Sequence, residues 1–337
     1  MKAHKKHYCS PLTPLYSDLY SKFGVEVWMK RDDLNHPTIQ GNKWHKLKYN
    51  LEQAQKLGKS TLITFGGAFS NHIAATAAAA NSYGFKSIGI IRGQELAQNP
   101  QKWSHTLKTA QQNGMQFEFI DRQTYRNKDS QNYLDALQSQ YPNSYILPEG
   151  GTNDLAILGF DELMQDIQQQ CPNWTHLFCS VGTGGTFTGL SYFANRIPQT
   201  DKIQTKKVIG VAVLKQAEYL IPQIENWLAS LSLVSLSLTS SDNEKPDFDN
   251  NIEPDLHPDL NQKNWQLLSQ YHDGGYAKKS KTGEKFQQEF EEEFGILLDP
   301  VYTSKMLFAF YDQLKKQNIP RGSKVVLLHT GGLQGRK

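Results

Sequence analysis

At 337 residues the chain is longer than one hydrophobic core usually organises, and two domains are expected. Hydrophobic residues make up 38% and charged residues 20%, which excludes a disordered chain, and no apolar run is long enough to span a bilayer. The net charge of +3, with no basic stripe interleaved with aromatics, argues against a nucleic-acid partner. Cys9, Cys171 and Cys179 have no CxxC spacing, so no metal site and no disulfide framework are indicated, and a reduced cytoplasmic setting is expected. Residues 1–7 carry charge with no apolar stretch behind them, so no signal peptide is read.

In chain order, Ser10-Pro11-Leu12-Thr13-Pro14-Leu15 precedes a segment, 25–30, that alternates as a strand. Arg31-Asp32-Asp33-Leu34-Asn35 reads as a polar loop whose aspartates serve as caps or as partners of nearby lysines. Gly41-Asn42-Lys43 opens a helix running to about 57. Strands are expected at 61–65, 87–91, 116–120 and 144–147, separated by helices over 70–83, over 101–112 and through Leu134 and Leu137. A helix over 153–170, a buried strand at 176–181, a helix from about 186, a strand at 208–213 and a helix over 217–231 follow. The tract 232–264 is rich in Ser, Asp, Asn and Pro and reads as an irregular connection. A helix around 286–294, a turn at Leu298-Asp299-Pro300, a helix over 304–317 and a strand at 324–329 complete the chain.

Strands separated by helices of this length point to parallel βαβ units. The expected fold is α/β, with two open twisted, mostly parallel sheets and helices on both faces. One sheet is assigned to a smaller domain, 51–155, and the other to a larger domain formed by 1–50 with 156–337. Ligands of such sheets bind at the C-terminal ends of strands and in domain crevices, which gives every motif a position test.

Three lysines cluster at the start of the helix after Gly41. Lys46 and Lys48 read as solvated helix positions. Lys43 lies where a loop becomes a helix, and partial desolvation there favours the neutral amine that forms Schiff bases. Gly182-Thr183-Gly184-Gly185-Thr186 follows an apolar strand and opens a helix, the order that makes a phosphate site from backbone amides and the helix dipole. It is neither a Walker A loop nor GxGxxG. Gly66-Gly67-Ala68-Phe69-Ser70-Asn71-His72 has the same strand–loop–helix order. Ser70 reads first as an N-cap, yet Ser70, Asn71 and His72 bring three polar side chains to a helix N-terminus, where a carboxylate would be welcome. Asp299-Pro300-Val301-Tyr302-Thr303, His329-Thr330-Gly331-Gly332 and Gly274-Gly275-Tyr276 are weak signals alone.

Taken in order, these motifs give the chain a family resemblance over about 11–332. It resembles the pyridoxal-phosphate enzymes of fold type II, in the branch of 1-aminocyclopropane-1-carboxylate (ACC) deaminase and D-cysteine desulfhydrase, a fold like that of the tryptophan synthase β subunit. The resemblance implies that the larger domain binds pyridoxal 5'-phosphate and that Lys43 holds its aldehyde as a Schiff base. It implies that Gly182, Thr183, Gly184, Gly185 and Thr186 bind the phosphate, that Asn42 contacts the ring hydroxyl and that Thr330 is the hydroxyl partner of the pyridine nitrogen. Ser70, Asn71 and His72 would face the substrate carboxylate, with Ser70 also a proton-transfer or nucleophilic group, and Tyr276 and Tyr302 would line the substrate side. The partners implied are a small amino-acid substrate and a second copy of the chain in a homodimer.

Within the branch, the discriminating positions are Thr303 and Thr330. In ACC deaminases a glutamate is expected after the tyrosine and an apolar residue in place of Thr330. Threonine at both matches the desulfhydrase side. The expected reaction is α,β-elimination on D-cysteine, giving pyruvate, ammonia and sulfide after removal of the Cα proton. ACC deaminase activity, another fold type II reaction such as racemisation or β-replacement, and a non-catalytic protein that holds the cofactor or a phosphorylated metabolite are the alternatives.

Overall fold

The structure is a computed structural model that describes residues 8–197, 206–239, 263–333 and 336, with the backbone alone at 232–239. The reading of 1–7 and most of the polar tract, 240–262, lie outside the described residues.

Short runs of Val, Ile, Leu and Phe fit a pleated, buried surface, and they form ten strands among the described residues. The strands are β1 (Leu12–Leu15), β2 (Glu26–Lys30), β3 (Thr61–Gly67), β4 (Lys86–Arg92), β5 (Gln116–Ile120), β6 (Ser144–Leu147), β7 (His176–Val181), β8 (Lys207–Ala212), β9 (Trp265–Leu268) and β10 (Lys324–Leu328). Between them run α1 (Asp18–Phe23), α2 (Asn42–Lys56), α3 (Asn71–Tyr83), α4 (His105–Gln112), α5 (Arg122–Arg126), α6 (Gln131–Gln140), α7 (Asp154–Leu158), α8 (Asp161–Gln170), α9 (Gly185–Ala194), α10 (Leu220–Thr239), α11 (Lys281–Phe294) and α12 (Thr303–Lys315).

The strands build two sheets, in the orders β1-β2-β10-β7-β8-β9 and β5-β4-β3-β6. Among the described residues only the β1–β2 pair is antiparallel. The expectation of two mostly parallel sheets with helices holds. In the larger sheet β2 pairs with β10, Val27 opposite Val325, so the N-terminal segment lies beside the last strand. One core packs Phe178, Leu298 and Phe310 on one face of this sheet, and a second packs Phe160, Phe187 and Leu328 on the other. Each such buried side chain contributes roughly 1.5–3 kcal/mol of transfer free energy. In the smaller sheet the alanines of α3 let that helix lie close, with Ala77 and Ala79 fully buried.

Four expectations are corrected. The helix expected over 153–170 is two helices, broken at Gly159, where a Cβ would lie 1.9 Å from the His45 carbonyl oxygen of α2. The helix expected from 101 begins only at His105, where the Ser104 hydroxyl accepts from the Leu107 amide at 3.2 Å. The irregular tract does not start at 232, since α10 continues to Thr239. Trp265–Leu268, expected as no element, is the edge strand β9 beside β8. No described helix is long and apolar enough to cross a membrane.

Candidate active site

Three strand ends converge. β3 runs out into the loop before α3, β7 into the glycine loop before α9, and β10 into His329–Gly332. The start of α2 is pressed against the last of these. Gly41 has φ +72°, and a Cβ there would lie 2.0 Å from the Thr330 carbonyl oxygen, so only glycine lets the backbones meet. The Asn42 amide donates to that carbonyl at 3.3 Å. Asn35 clamps the turn from both sides: its Oδ1 accepts from the Gly41 amide at 3.0 Å and its Nδ2 donates to the Gly41 carbonyl at 3.1 Å. The aspartates before it do not pair with lysines as hydrogen-bond partners. Asp32 lies 2.9 Å from His45 Nε2 and accepts from Ser10 at 2.7 Å, and Asp33 accepts from Arg31 at 2.7 and 2.9 Å. Burial pushes the Asp32 carboxyl up, but His45, Ser10 and Lys30 outweigh it and hold it below the usual range.

The turn aims Lys43 at the glycine loop. Its Nζ donates to Asn42 Oδ1 at 2.7 Å, and Asn42 Nδ2 donates to Thr186 Oγ1 at 2.8 Å. Burial pushes the Lys43 amine down to about 8, with Asp299 opposing. The loop itself turns at Gly184, which has φ +87°. α9 starts there with no side-chain cap, so its first amides are open to an anion.

Lys46 and Lys48 are not solvated. Lys46 is 3% exposed, and its Nζ donates to the Gly150 carbonyl at 2.8 Å, Thr152 Oγ1 at 2.9 Å and Thr183 Oγ1 at 3.3 Å. Burial, then the Lys43 charge, holds the Lys46 amine well below its ordinary value. Two mutually repelling amines beside an uncapped helix start are arranged for an anion. Lys48 pairs with Asp161 and Glu162, each at 2.8 Å, and joins α2 to α8. The sequence reading missed Lys46 as a site group. Its spacing of three from Lys43, which puts both on one helix face, was the available signal.

Asp299, read only as part of a turn, also belongs here. Its Oδ1 accepts from the Val301 and Tyr302 amides at 3.0 and 2.5 Å and so sets the start of α12. Burial raises its carboxyl to about 6, against those amides and Lys43. A Cβ on Gly332 would lie 2.8 Å from Asp299 Oδ2 and 2.7 Å from Asn71 Nδ2, so α3, α12 and the end of β10 meet at one glycine.

The remaining expected site residues lie as follows. Tyr302 packs on Gly182, where a Cβ would be 3.2 Å from its ring. Tyr276 crosses it at 71° with centroids 6.2 Å apart and donates to the Phe69 carbonyl at 3.2 Å, next to Ser70. Ser70 occupies the N-cap position of α3, but its hydroxyl makes no capping bond. His72 turns inward: it is 1% exposed, with Nε2 2.9 Å from Thr64 Oγ1, and Nδ1, beside Gly151, has no hydrogen-bond partner among the described residues. Burial, Lys43 and Lys46 hold its imidazole well below its ordinary value, so it is neutral. Thr330 Oγ1 lies 3.3 Å from Ser180 Oγ, a hydroxyl pair at the ends of β10 and β7. Thr303 Oγ1 is buried with no hydrogen-bond partner among the described residues.

A family model described as pyridoxal-phosphate dependent enzyme matches residues 10–331, nearly the whole chain. The chain belongs to the pyridoxal-phosphate-dependent enzyme family. Its residues fit the cofactor: the open amides of α9 with Thr183, Thr186 and Lys46 suit a phosphate, and a lysine shifted toward neutrality suits an aldehyde. The enzyme is 27% identical to a Thermotoga maritima protein named provisionally as a 1-aminocyclopropane-1-carboxylate deaminase, over 94% of this chain and 92% of that one. It is 26% identical to the Arabidopsis thaliana mitochondrial bifunctional D-cysteine desulfhydrase/1-aminocyclopropane-1-carboxylate deaminase, over 93% and 73%. A crystal structure of an ACC deaminase homologue superposes with a TM-score of 0.76 at 25% identity, covering 97% of this chain and 90% of that one.

Proposed function

We propose that this pyridoxal-phosphate-dependent enzyme carries out α,β-elimination on a small D-amino acid, D-cysteine being the leading substrate. The products are pyruvate, ammonia and sulfide. The carrying observation is the hydroxyl lining at the ends of β7 and β10, Thr330 beside Ser180, together with the buried Thr303, in place of the carboxylate and apolar residue expected of an ACC deaminase. The bifunctional name of the Arabidopsis relative supports the same branch.

Bound pyridoxal phosphate supplies an electron sink for negative charge at the substrate Cα. Lys43 Nζ, half neutral near pH 8, takes the Cα proton, and Asn42 holds it in place. The open start of α3, with Ser70 and Asn71, binds the substrate carboxylate. Asn42 and Thr330 serve the ring, and the loop from Gly182 to Thr186 with Lys46 holds the phosphate. The Cβ–S bond breaks with its electron pair on sulfur. Tyr302, which burial keeps protonated, stands with Tyr276 on the side where the thiolate collects a proton. The released enamine takes up water and yields pyruvate and ammonia. In this reading 51–155 is the smaller domain that carries the carboxylate loop, the remainder is the cofactor-binding domain, and the enzyme works in the cytoplasm as a homodimer.

ACC deamination is the second reading, favoured by the names of the Thermotoga relative and the crystal-structure homologue. The test is purified holoenzyme against D- and L-cysteine, β-chloro-D- and β-chloro-L-alanine and ACC, scored for keto acid, ammonia and sulfide. Pyruvate and sulfide from D-cysteine are expected. 2-Oxobutanoate from ACC alone would transfer the assignment to the second reading, and a cofactor-loaded protein that turns over nothing would overturn both.

A further inference from the structure

Tyr276 sits on an irregular loop between β9 and α11. Asp273, Gly274, Gly275 and Ala277 all have positive φ, at +54°, +90°, +130° and +54°. Two of these are not glycine, so the turn carries local strain. Beside it lies a cavity of about 120 Å³ lined by Asp273, Lys279, Ser280, Pro300, Ser304 and Lys305. The Asp273 carboxylate ties the loop to the Ser280 amide at 2.5 Å, and an amine reaches it from α12. Lys305, 5% exposed on α12, donates from Nζ to the His272 carbonyl at 2.8 Å and the Gly275 carbonyl at 2.9 Å. Those two carbonyls also close the loop's own turns, from the Gly275 and Lys278 amides at 2.9 and 3.2 Å. The amine therefore gathers the oxygens that define the strained conformation.

We propose that Lys305 is a positioning residue that fixes the Tyr276 loop over the site. It lies three residues after Tyr302, the N-cap residue of α12, so one element sets Tyr302 at its start and Tyr276 through the loop backbone. Tyr276 in turn bonds the Phe69 carbonyl next to Ser70, so the clamp extends from the six-stranded sheet's side to the loop after β3. A buried amine fixed by two carbonyls holds a loop better than packing around a void, because charge-assisted bonds in a dry setting are the stronger kind. This inference rests on the proposed role of Tyr276 at the substrate side.

The test has two arms. Lys305→Met keeps the stem and removes the donors. Lys278 and Lys279 are exposed beside Tyr276, so trypsin reads the loop directly. In the holoenzyme, nicking after these lysines should speed up about tenfold in Lys305→Met while the urea midpoint of global unfolding changes little. In the second arm, kcat on β-chloro-D-alanine is measured for Lys305→Met, Tyr276→Phe and the double variant. Lys305→Met should lose about tenfold, and the double variant should be no worse than Tyr276→Phe alone, the signature of a residue that acts through another. Unchanged nicking, or losses that multiply, would overturn the proposal. Tyr276→Phe with unaltered kcat would sink the reading of Tyr276 instead, and the nicking arm would still report on Lys305. If Lys305→Met does not fold, Lys305→Leu, which also removes the donors, carries both arms.

Discussion

Three ionisable groups decide what the site can do, and burial shifts each of them. Lys43, at about 8, is roughly one-tenth neutral at pH 7 and roughly nine-tenths neutral at pH 9. Its folded value lies below its ordinary 10.5, so the unfolded chain binds more protons between the two. The stability this group contributes is present above 10.5 and lost as pH falls through about 8. Capture of pyridoxal phosphate by apoprotein should rise through the same pH, since only the neutral amine attacks an aldehyde. Asp299 opposes the shift of Lys43, so Asp299→Asn, which keeps an acceptor for the Val301 and Tyr302 amides, should move the midpoint of capture down by about one unit. A spectrophotometric pH titration of the lysine-bound cofactor band reads it, and an unmoved midpoint would remove Asp299 as the charge partner. Lys46 carries a separate prediction. Lys46→Met should weaken pyridoxal phosphate binding by about 10- to 100-fold, the size of a lost bond to a charged group. Binding of pyridoxal without its phosphate should hardly change, which an equilibrium titration of both compounds distinguishes.

The helix that matters most is α2, because its first turn is built against the far end of the chain. Gly41→Ala would place a methyl carbon 2.0 Å from the Thr330 carbonyl at φ +72°. Gly58, just past the other end of α2, has φ +64° and open space where a Cβ would go. Urea unfolding of the pair separates the two causes: Gly58→Ala should cost about 1 kcal/mol for the left-handed backbone alone, and Gly41→Ala more than about 3 kcal/mol. The same contrast marks what sequence can carry. β5 alternates apolar and polar residues, β6 and β7 are short apolar runs between turn signals, and their bounds were legible from those patterns alone. The break at Gly159 was not, because its cause is a carbonyl of α2, more than a hundred residues away in the chain. β9 is four residues with no clear alternation, stabilised by its neighbour β8. Lys46 read as a surface lysine because nothing local announces that Gly150, Thr152 and Thr183 surround its amine. Lys43 and the glycine loop stood out because a glycine turn at a helix start leaves a trace in the sequence itself.

At the scale of the molecule, the site is where two sheets built from interleaved parts of the chain meet. α2 joins them, anchored to the end of β10 at Gly41 and packing Leu47 and Leu51 with Leu62 of β3 and Leu147 of β6. A ligand held by α2 and α9 together binds the folded chain and has no site in the unfolded one, so its removal should destabilise the whole fold. At a cofactor concentration of about one hundred times Kd the stabilisation is about 2.7 kcal/mol. With an unfolding entropy of about 2.1 cal/mol/K per residue over 337 residues, that corresponds to a shift in Tm of about 4 °C. Differential scanning calorimetry of holoenzyme and of apoprotein stripped with an amine reagent measures it. The Lys43→Ala variant should bind the phosphate end without the covalent link and keep only part of the shift. Inorganic phosphate, which occupies the α9 loop alone, should give a smaller shift that Lys46→Met abolishes and Lys43→Ala leaves. A cofactor band that forms with no rise in Tm would mean that the lysine reacts from a surface the fold does not depend on, contrary to a site closed by the ends of β3, β7 and β10.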